Sequence, residues 1–218
     1  MYNARNASLA TLLVLFITGP IVAQVNKAGT IHLGVGLAAG AHATEYRETV
    51  RVLGVSFTNK STDGAATVTL PLEFSIGLAK PVSLGIYVEP GSYLDSSATE
   101  SNGLAMLGLQ PRLYLVNGDR FAWLASLRFG GSALVIDRSE EGTATTARYR
   151  GGHLGIGTGI AAYFGDHIGL QVHLNYLANN FTLKEYDING ANVLLDNFDA
   201  ELLTRGIALQ ASLAFKFK

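Results

Sequence analysis

From Thr30 onward, apolar side chains recur at every second position of the chain. The clearest run is the last: Ile207, Leu209, Ala211, Leu213, Phe215 and Phe217 alternate with Ala208, Gln210, Ser212, Ala214, Lys216 and Lys218. The same reading holds for Ile168, Leu170, Val172, Leu174 and Tyr176 against Gly169, Gln171, His173 and Asn175. It holds again for Leu70, Leu72, Phe74, Ile76 and Leu78 against Pro71, Glu73, Ser75 and Gly77. A period of two puts the two sets on opposite faces of a strand, over about the 9–11 residues with which a tilted strand crosses a bilayer.

Eight runs of this kind predict strands over Thr30 to Thr44, Ala66 to Leu78, Val82 to Tyr93, Gly103 to Val116, Phe121 to Ile136, Arg148 to Phe164, Ile168 to Tyr186 and Leu203 to Lys218. The connections alternate in length. Ala79-Lys80-Pro81, Asn117-Gly118-Asp119-Arg120 and Gly165-Asp166-His167 are short, and Asn-Gly and Gly-Asp readily supply positive φ. Glu45 to Ala65, Leu94 to Asn102, Asp137 to Ala147 and Asp187 to Leu202 are long and polar, and read as loops. The expected fold is therefore all-β: an eight-stranded antiparallel up-and-down transmembrane β-barrel, with short periplasmic turns, longer outside loops and both termini periplasmic.

Alternation alone does not orient the faces, because a soluble barrel also alternates with its apolar set inside. Composition separates the two. Charged residues make up 15% of the chain, against about 25% in soluble domains. The polar set is mostly Gly, Ala, Ser and a few charges of both signs, which suits a narrow filled interior better than a wet surface. Phe121, Trp123, Phe164, Phe215 and Phe217 gather beside the turns with apolar parity, as an interfacial girdle would.

Ahead of the strands, Arg5, the apolar run Leu9 to Ile17 and Ile21-Val22-Ala23-Gln24 have the order of a signal peptide, too short for a spanning helix. The expected organisation is a leader over residues 1–23 and one barrel domain over 24–218. Cysteine is absent, which removes disulfides, thiolate metal sites and Cys nucleophiles. A net charge of −1 carries no basic field for nucleic acid.

With these features the chain resembles the eight-stranded outer-membrane β-barrel family, the OmpA/OmpX-like group, over about Thr30 to Lys218. The resemblance implies outer-membrane lipids and the β-barrel assembly machinery as partners. It also implies that Phe215 and Phe217 belong to the terminal assembly signal, although the family usually ends on the aromatic where this chain has Lys218. The pattern specifies class rather than function, because one barrel type hosts adhesins, enzymes and structural proteins.

Among side chains that could carry chemistry, a charge quartet stands out. Glu73 and Glu89 lie on the polar face of the second and third predicted strands, Arg112 and Arg128 on that of the fourth and fifth. They are expected to form an ion cluster plugging the lumen, since eight strands leave an interior just wide enough for side chains; an ion-gating network is the sharper alternative. His32, His153 and His173 share the same parity but lack metal-ligand spacing, so satisfied interior imidazoles are expected and no metal or other cofactor.

Lipid A deacylases are barrels of this size that place His and Ser two apart on one strand. Here His173-Leu174-Asn175 has an amide at the nucleophile position, so no catalytic residues are assigned. The run Gly151 to Gly159 lies within a strand and opens no helix, unlike a nucleotide loop, and Asp187-Ile188-Asn189-Gly190 lacks the rest of a calcium loop. The expected function is an integral outer-membrane protein without catalytic activity, with a filled lumen and four extracellular loops serving envelope integrity, adhesion or binding of an extracellular ligand. A lipid-modifying enzyme and a narrow small-solute channel are the alternatives; a general porin needs about sixteen strands.

Overall fold

A computed structural model describes residues 24–95, 102–140 and 142–217. The expected leader, Lys218 and the centre of the Leu94 to Asn102 connection lie outside the described residues. The strands are β1 (Ile31–Val52), β2 (Val55–Thr69), β3 (Leu72–Ala79), β4 (Val82–Asp95), β5 (Asn102–Asn117), β6 (Phe121–Glu140), β7 (Thr143–Tyr163), β8 (Ile168–Ile188), β9 (Ala191–Asn192) and β10 (Phe198–Phe217). All pairings are antiparallel, and β10 bonds to both β8 and β1, which closes the ring. β2 and β3 are one stave interrupted at Leu70-Pro71, where proline has no N–H to give the ladder. The two-residue β9 only caps the end of β8, so the barrel has eight staves.

The expected strand ends are corrected outward. Glu45 to Ala65 is not a loop: β1 and β2 stay paired up to Val52 and Val55 around a Leu53-Gly54 turn. β6 and β7 likewise pair as far as Glu140 and Thr143, and β8 reaches Ile188. These extensions have water on both sides, so nothing selects an apolar face and the period-two signal fades although the ladder continues. Leu53 and Gly54 have φ of 50° and 79°, and Asn189 and Gly190 have 51° and 82°. Two successive positive-φ residues make the tight turn whose twist matches a hairpin. The Asp187 to Gly190 segment is therefore such a turn rather than an open solvated loop.

The outer face is apolar only over a band. On β8 the outward positions are Ile168, Leu170, Val172, Leu174, Tyr176 and Ala178, followed by Asn180, Thr182 and Lys184. On β7 the band ends where Leu154 gives way to Gly152 and Arg150. Its height agrees with the ~9–11 residues of a membrane-crossing strand. Phe121, Trp123, Phe164 and Phe217 are exposed at its turn-side edge, and Phe215 is half-buried beside them.

The interior is layered. At the turn end Val25, Tyr114, Leu124 and Tyr163 form an apolar floor. At the loop end Tyr93, Leu134, Tyr149, Phe181 and Leu202 belong to a second apolar cluster. Between them lie buried polar residues, and the glycines of β7 make room for them. A Cβ on Gly157 would stand 2.1 Å from Asn175 Oδ1, and one on Gly159 would stand 2.6 Å from His173 Nδ1, so the two large β8 side chains occupy space that their β7 partners leave.

Candidate functional site

The mid-depth layer holds all four members of the charge quartet. Arg112 Nη2 donates to Glu73 Oε2 at 2.5 Å and to Gln110 Oε1 at 2.8 Å. Gln210 Nε2 donates to the other Glu73 oxygen at 3.1 Å. Arg128 Nη2 donates to Glu89 Oε2, and Thr69 Oγ1 donates to Glu89 Oε1 at 2.5 Å. Each pair joins one strand to the next but one, β3 to β5 and β4 to β6, so the bonds run through the lumen and not along a ladder. The four charged side chains are 2–3% exposed, and Arg128 also lies with its guanidinium carbon 4.1 Å from the Tyr87 ring centroid. Charge this deeply buried is tolerable only when paired; Thr69, Gln110 and Gln210 add polar contacts, while the Nε–H of each arginine has no hydrogen-bond partner. The two pairs are separate units of one layer, with no ion pair linking them among the described residues.

Of the three histidines expected to be satisfied inside the lumen, His32 is bonded at both ring nitrogens, whereas His153 and His173 each keep one nitrogen without a partner, which corrects the expectation for those two. His42, which the parity argument passed over, bonds Thr67 Oγ1 at 3.0 Å, His153 Nε2 meets the Tyr87 hydroxyl, and His173 Nε2 lies 3.4 Å from Gln171 Oε1. The Nδ1 atoms of all three have no protein partner. No group of three His, Asp or Glu residues among those described could hold a metal ion. His173 and Asn175 are fully enclosed in the lumen.

Asn26, which sequence reasoning missed, closes the turn end. Its Nδ2 donates to the carbonyls of Ala79, Lys80 and Val82, at 2.8, 3.2 and 3.2 Å. Its backbone N–H donates to Asn117 Oδ1 at 2.9 Å, and Asn117 Nδ2 donates back to Asn26 O at 2.7 Å. With Nδ2 thus spent, Oδ1 accepts from His32 Nε2 at 3.2 Å, which leaves His32 Nδ1 to accept from Tyr163 at 3.3 Å. Through its side chain and its backbone together, Asn26 therefore ties the chain before β1 to two of the short turns. Nothing in the alternation marks it, because it precedes the first strand.

The loop end is the opposite case. A cavity of about 530 Å³ opens above the ion-pair layer, within the ~300–1,000 Å³ range of small-molecule sites. Tyr46, Tyr93, Tyr149 and Tyr186 line it, with Leu183, Phe198 and Leu202. Tyr46 stands beside Tyr149 and Glu48. Burial pushes the Tyr46 and Tyr149 hydroxyls up, so both stay neutral at physiological pH. Glu48, Asp63 and Asp95 also line the cavity, against one basic residue, Arg138. Sequence reasoning assigned most of these residues to loops and so lost their parity; in the paired hairpins, Tyr46 and Glu48 continue the inward series of Thr44.

No protein-family model and no curated protein matches the chain. Solved structures do match in fold. OprG, an outer membrane protein from Pseudomonas aeruginosa, superposes with a TM-score of 0.57 at 11% identity, covering 88% of this chain and 97% of that one. The outer membrane protein AlkL, determined in lipid bilayers, superposes with a TM-score of 0.53 at 10% identity, covering 92% and 96%. At such identities the likeness is one of architecture: this chain has the fold of the eight-stranded outer-membrane barrels.

Proposed function

We propose that this chain is an integral outer-membrane protein without catalytic activity, closed at mid-depth, whose work is binding at its loop end. The observation that carries the reading is the stack of a sealed layer beneath an open cup. Two buried ion pairs and the Asn26 closure obstruct the lumen, while the cavity above them faces away from the turns. The apolar outer band supports insertion among outer-membrane lipids, with the short turns and both termini periplasmic. Phe215 and Phe217, on the closing strand, would present the signal read by the assembly machinery. The burial of His173 beside an Asn argues against a lipid-modifying enzyme. Adhesion or an envelope-stabilising contact would use the same protruding hairpins.

Membrane fractionation with unboiled gel migration tests the placement: a heat-shifted species in the outer membrane is expected, and a soluble periplasmic protein would overturn it. Planar-bilayer recording tests the seal. Wild-type protein is expected to show no steady conductance, whereas Glu89→Ala with Arg128→Ala, which clears one of the two pairs, is expected to show brief openings. A steady wild-type conductance would favour the small-solute channel instead.

A further inference from the structure

The barrel wall is uneven at its loop end. β2 climbs to Val55, whereas its neighbour β4 pairs with it only from Gly91 to Asp95. Above the Ala65–Asp95 rung, β2 therefore has a strand partner on one side alone, β1. The first N–H past that rung, on Gly64, turns to its neighbour Asp63 Oδ1 at 2.7 Å. The six residues that return from Asp95 to Asn102, which pairs with Tyr93, can climb about 10 Å at most, and Lys60 stands about 17 Å beyond Ala65. The ladder below sets the phase of the edge. Leu70 N–H bonds Pro90 O on the β4 side, and the β1 register runs unbroken from Thr69 to Val55. Every second residue back from Leu70, through Lys60 and Thr58 to Ser56, therefore turns its N–H and C=O towards the open edge.

The two faces beside this edge differ. Val55 and Phe57 pair across the hairpin with Val52 and Val50, which puts four apolar side chains on one face, and Phe57 is 63% exposed. Ser56, Thr58 and Lys60 occupy the other. An unpaired strand edge is satisfied by another strand, and an apolar face left in water gains by being extended. A second copy in the same membrane would not extend it. A two-fold axis along the membrane normal turns the sheet over and sets the apolar face of one copy beside the polar face of the other. We propose that Ser56 to Lys60 bind an extended segment of a partner polypeptide outside the cell as an added strand, its alternate apolar residues continuing the face of Val55 and Phe57. The inference rests on the loop-end binding reading above and names the partner's class.

The test is titration of the full chain, folded in uncharged maltoside micelles, into a fluorescently labelled peptide that alternates valine with threonine and ends in glutamates. Saturable binding is expected, and none of a scrambled peptide with its valines together. N-methylation of the valines and N-methylation of the threonines remove N–H groups from opposite edges of the peptide. One form is expected to bind at least about tenfold more weakly than the parent and the other within about threefold of it. Thr58→Pro removes an edge N–H and spares the β1 ladder; it is expected to cost at least about tenfold while unboiled gel migration stays unchanged. The methylated peptides decide the matter on the wild-type chain even where the proline variant fails to fold. Two methylated forms that bind like the parent, or no binding of the parent, would overturn the added strand. So would a wild-type dimer that Thr58→Pro dissociates, which assigns the edge to a second copy. Binding that survives Thr58→Pro but is lost in Tyr149→Ala moves the peptide into the cavity, so the loop-end reading stands and the edge falls. Binding that survives both variants lies away from the loop end, and both readings fall.

Discussion

The two halves of this lumen are built from the same inward parity and behave in opposite ways. In the turn-side half, the charged side chains meet partners from across the ring, Arg112 with Glu73 and Arg128 with Glu89, and Asn26 bonds to two turns at once. In the loop-side half, tyrosines and carboxylates line the wall, and about 530 Å³ stays open. The lesson concerns reach and pairing, not strand number. Oppositely charged long side chains on alternate staves span an eight-stranded barrel and shut it.

One kind of substitution made in both halves should split them most sharply. Glu89→Gln leaves Arg128 buried without its counter-charge, and a loss of about 3–5 kcal/mol is expected. Glu48→Gln in the cup is expected to stay within ~0.5 kcal/mol of wild type. Urea titration followed by unboiled gel migration measures both, and equal effects would dissolve the contrast. In the same half, Arg112→Ala should be nearly as costly as Glu89→Gln, and combining it with Glu73→Ala should give less than the sum of the singles by about 1 kcal/mol or more. Strict additivity would mean that the two groups act independently.

Asn26→Ala probes the floor. It strands three turn carbonyls and the His32 contact, and a loss of about 1–3 kcal/mol is expected from buried groups left unsatisfied. Because the change lies far from the loop end, peptide binding there should be unmoved. A change at Asn26 that altered loop-end affinity would show the halves to be coupled.

The smallest effect is expected outside both. The Arg47 guanidinium hydrogen-bonds Glu45 at 2.5 Å and holds its carboxyl below the usual carboxylate range. A carboxyl depressed on folding adds stability above its unfolded pKa and loses it as pH falls through the folded one. Arg47→Gln should therefore differ slightly from wild type at neutral pH and match it in acid. A gap that widened towards low pH would reverse the assignment. The pair is partly exposed to solvent, so salt should also narrow the gap.

Much of this architecture was legible without coordinates. Where one strand face meets lipid and the other a packed lumen, as from Ile168 to Ala178, alternation reports strand and span, and the composition of the two faces reports which of them is outward. The same parity put Glu73, Glu89, Arg112 and Arg128 on a common face, although not which carboxylate meets which guanidinium. That choice depends on the stagger between staves, which carries each pair across one intervening strand. The hairpin extensions were read as loops because Thr58, Lys60 and Thr62 face water just as Asn59 and Ser61 face the mouth of the barrel. With polar residues on both sides, no period survives in the sequence.

By itself, the sequence determined the class of fold, the depth of the membrane band and the polarity of the lumen, because all three follow from which side chains alternate along a single strand. Tertiary structure alone decided the pairing of the charges, the Asn26 closure and the loop-end cavity. Those depend on residues from separate strands meeting at one height, and that height is set by ring closure and register, which no single strand encodes.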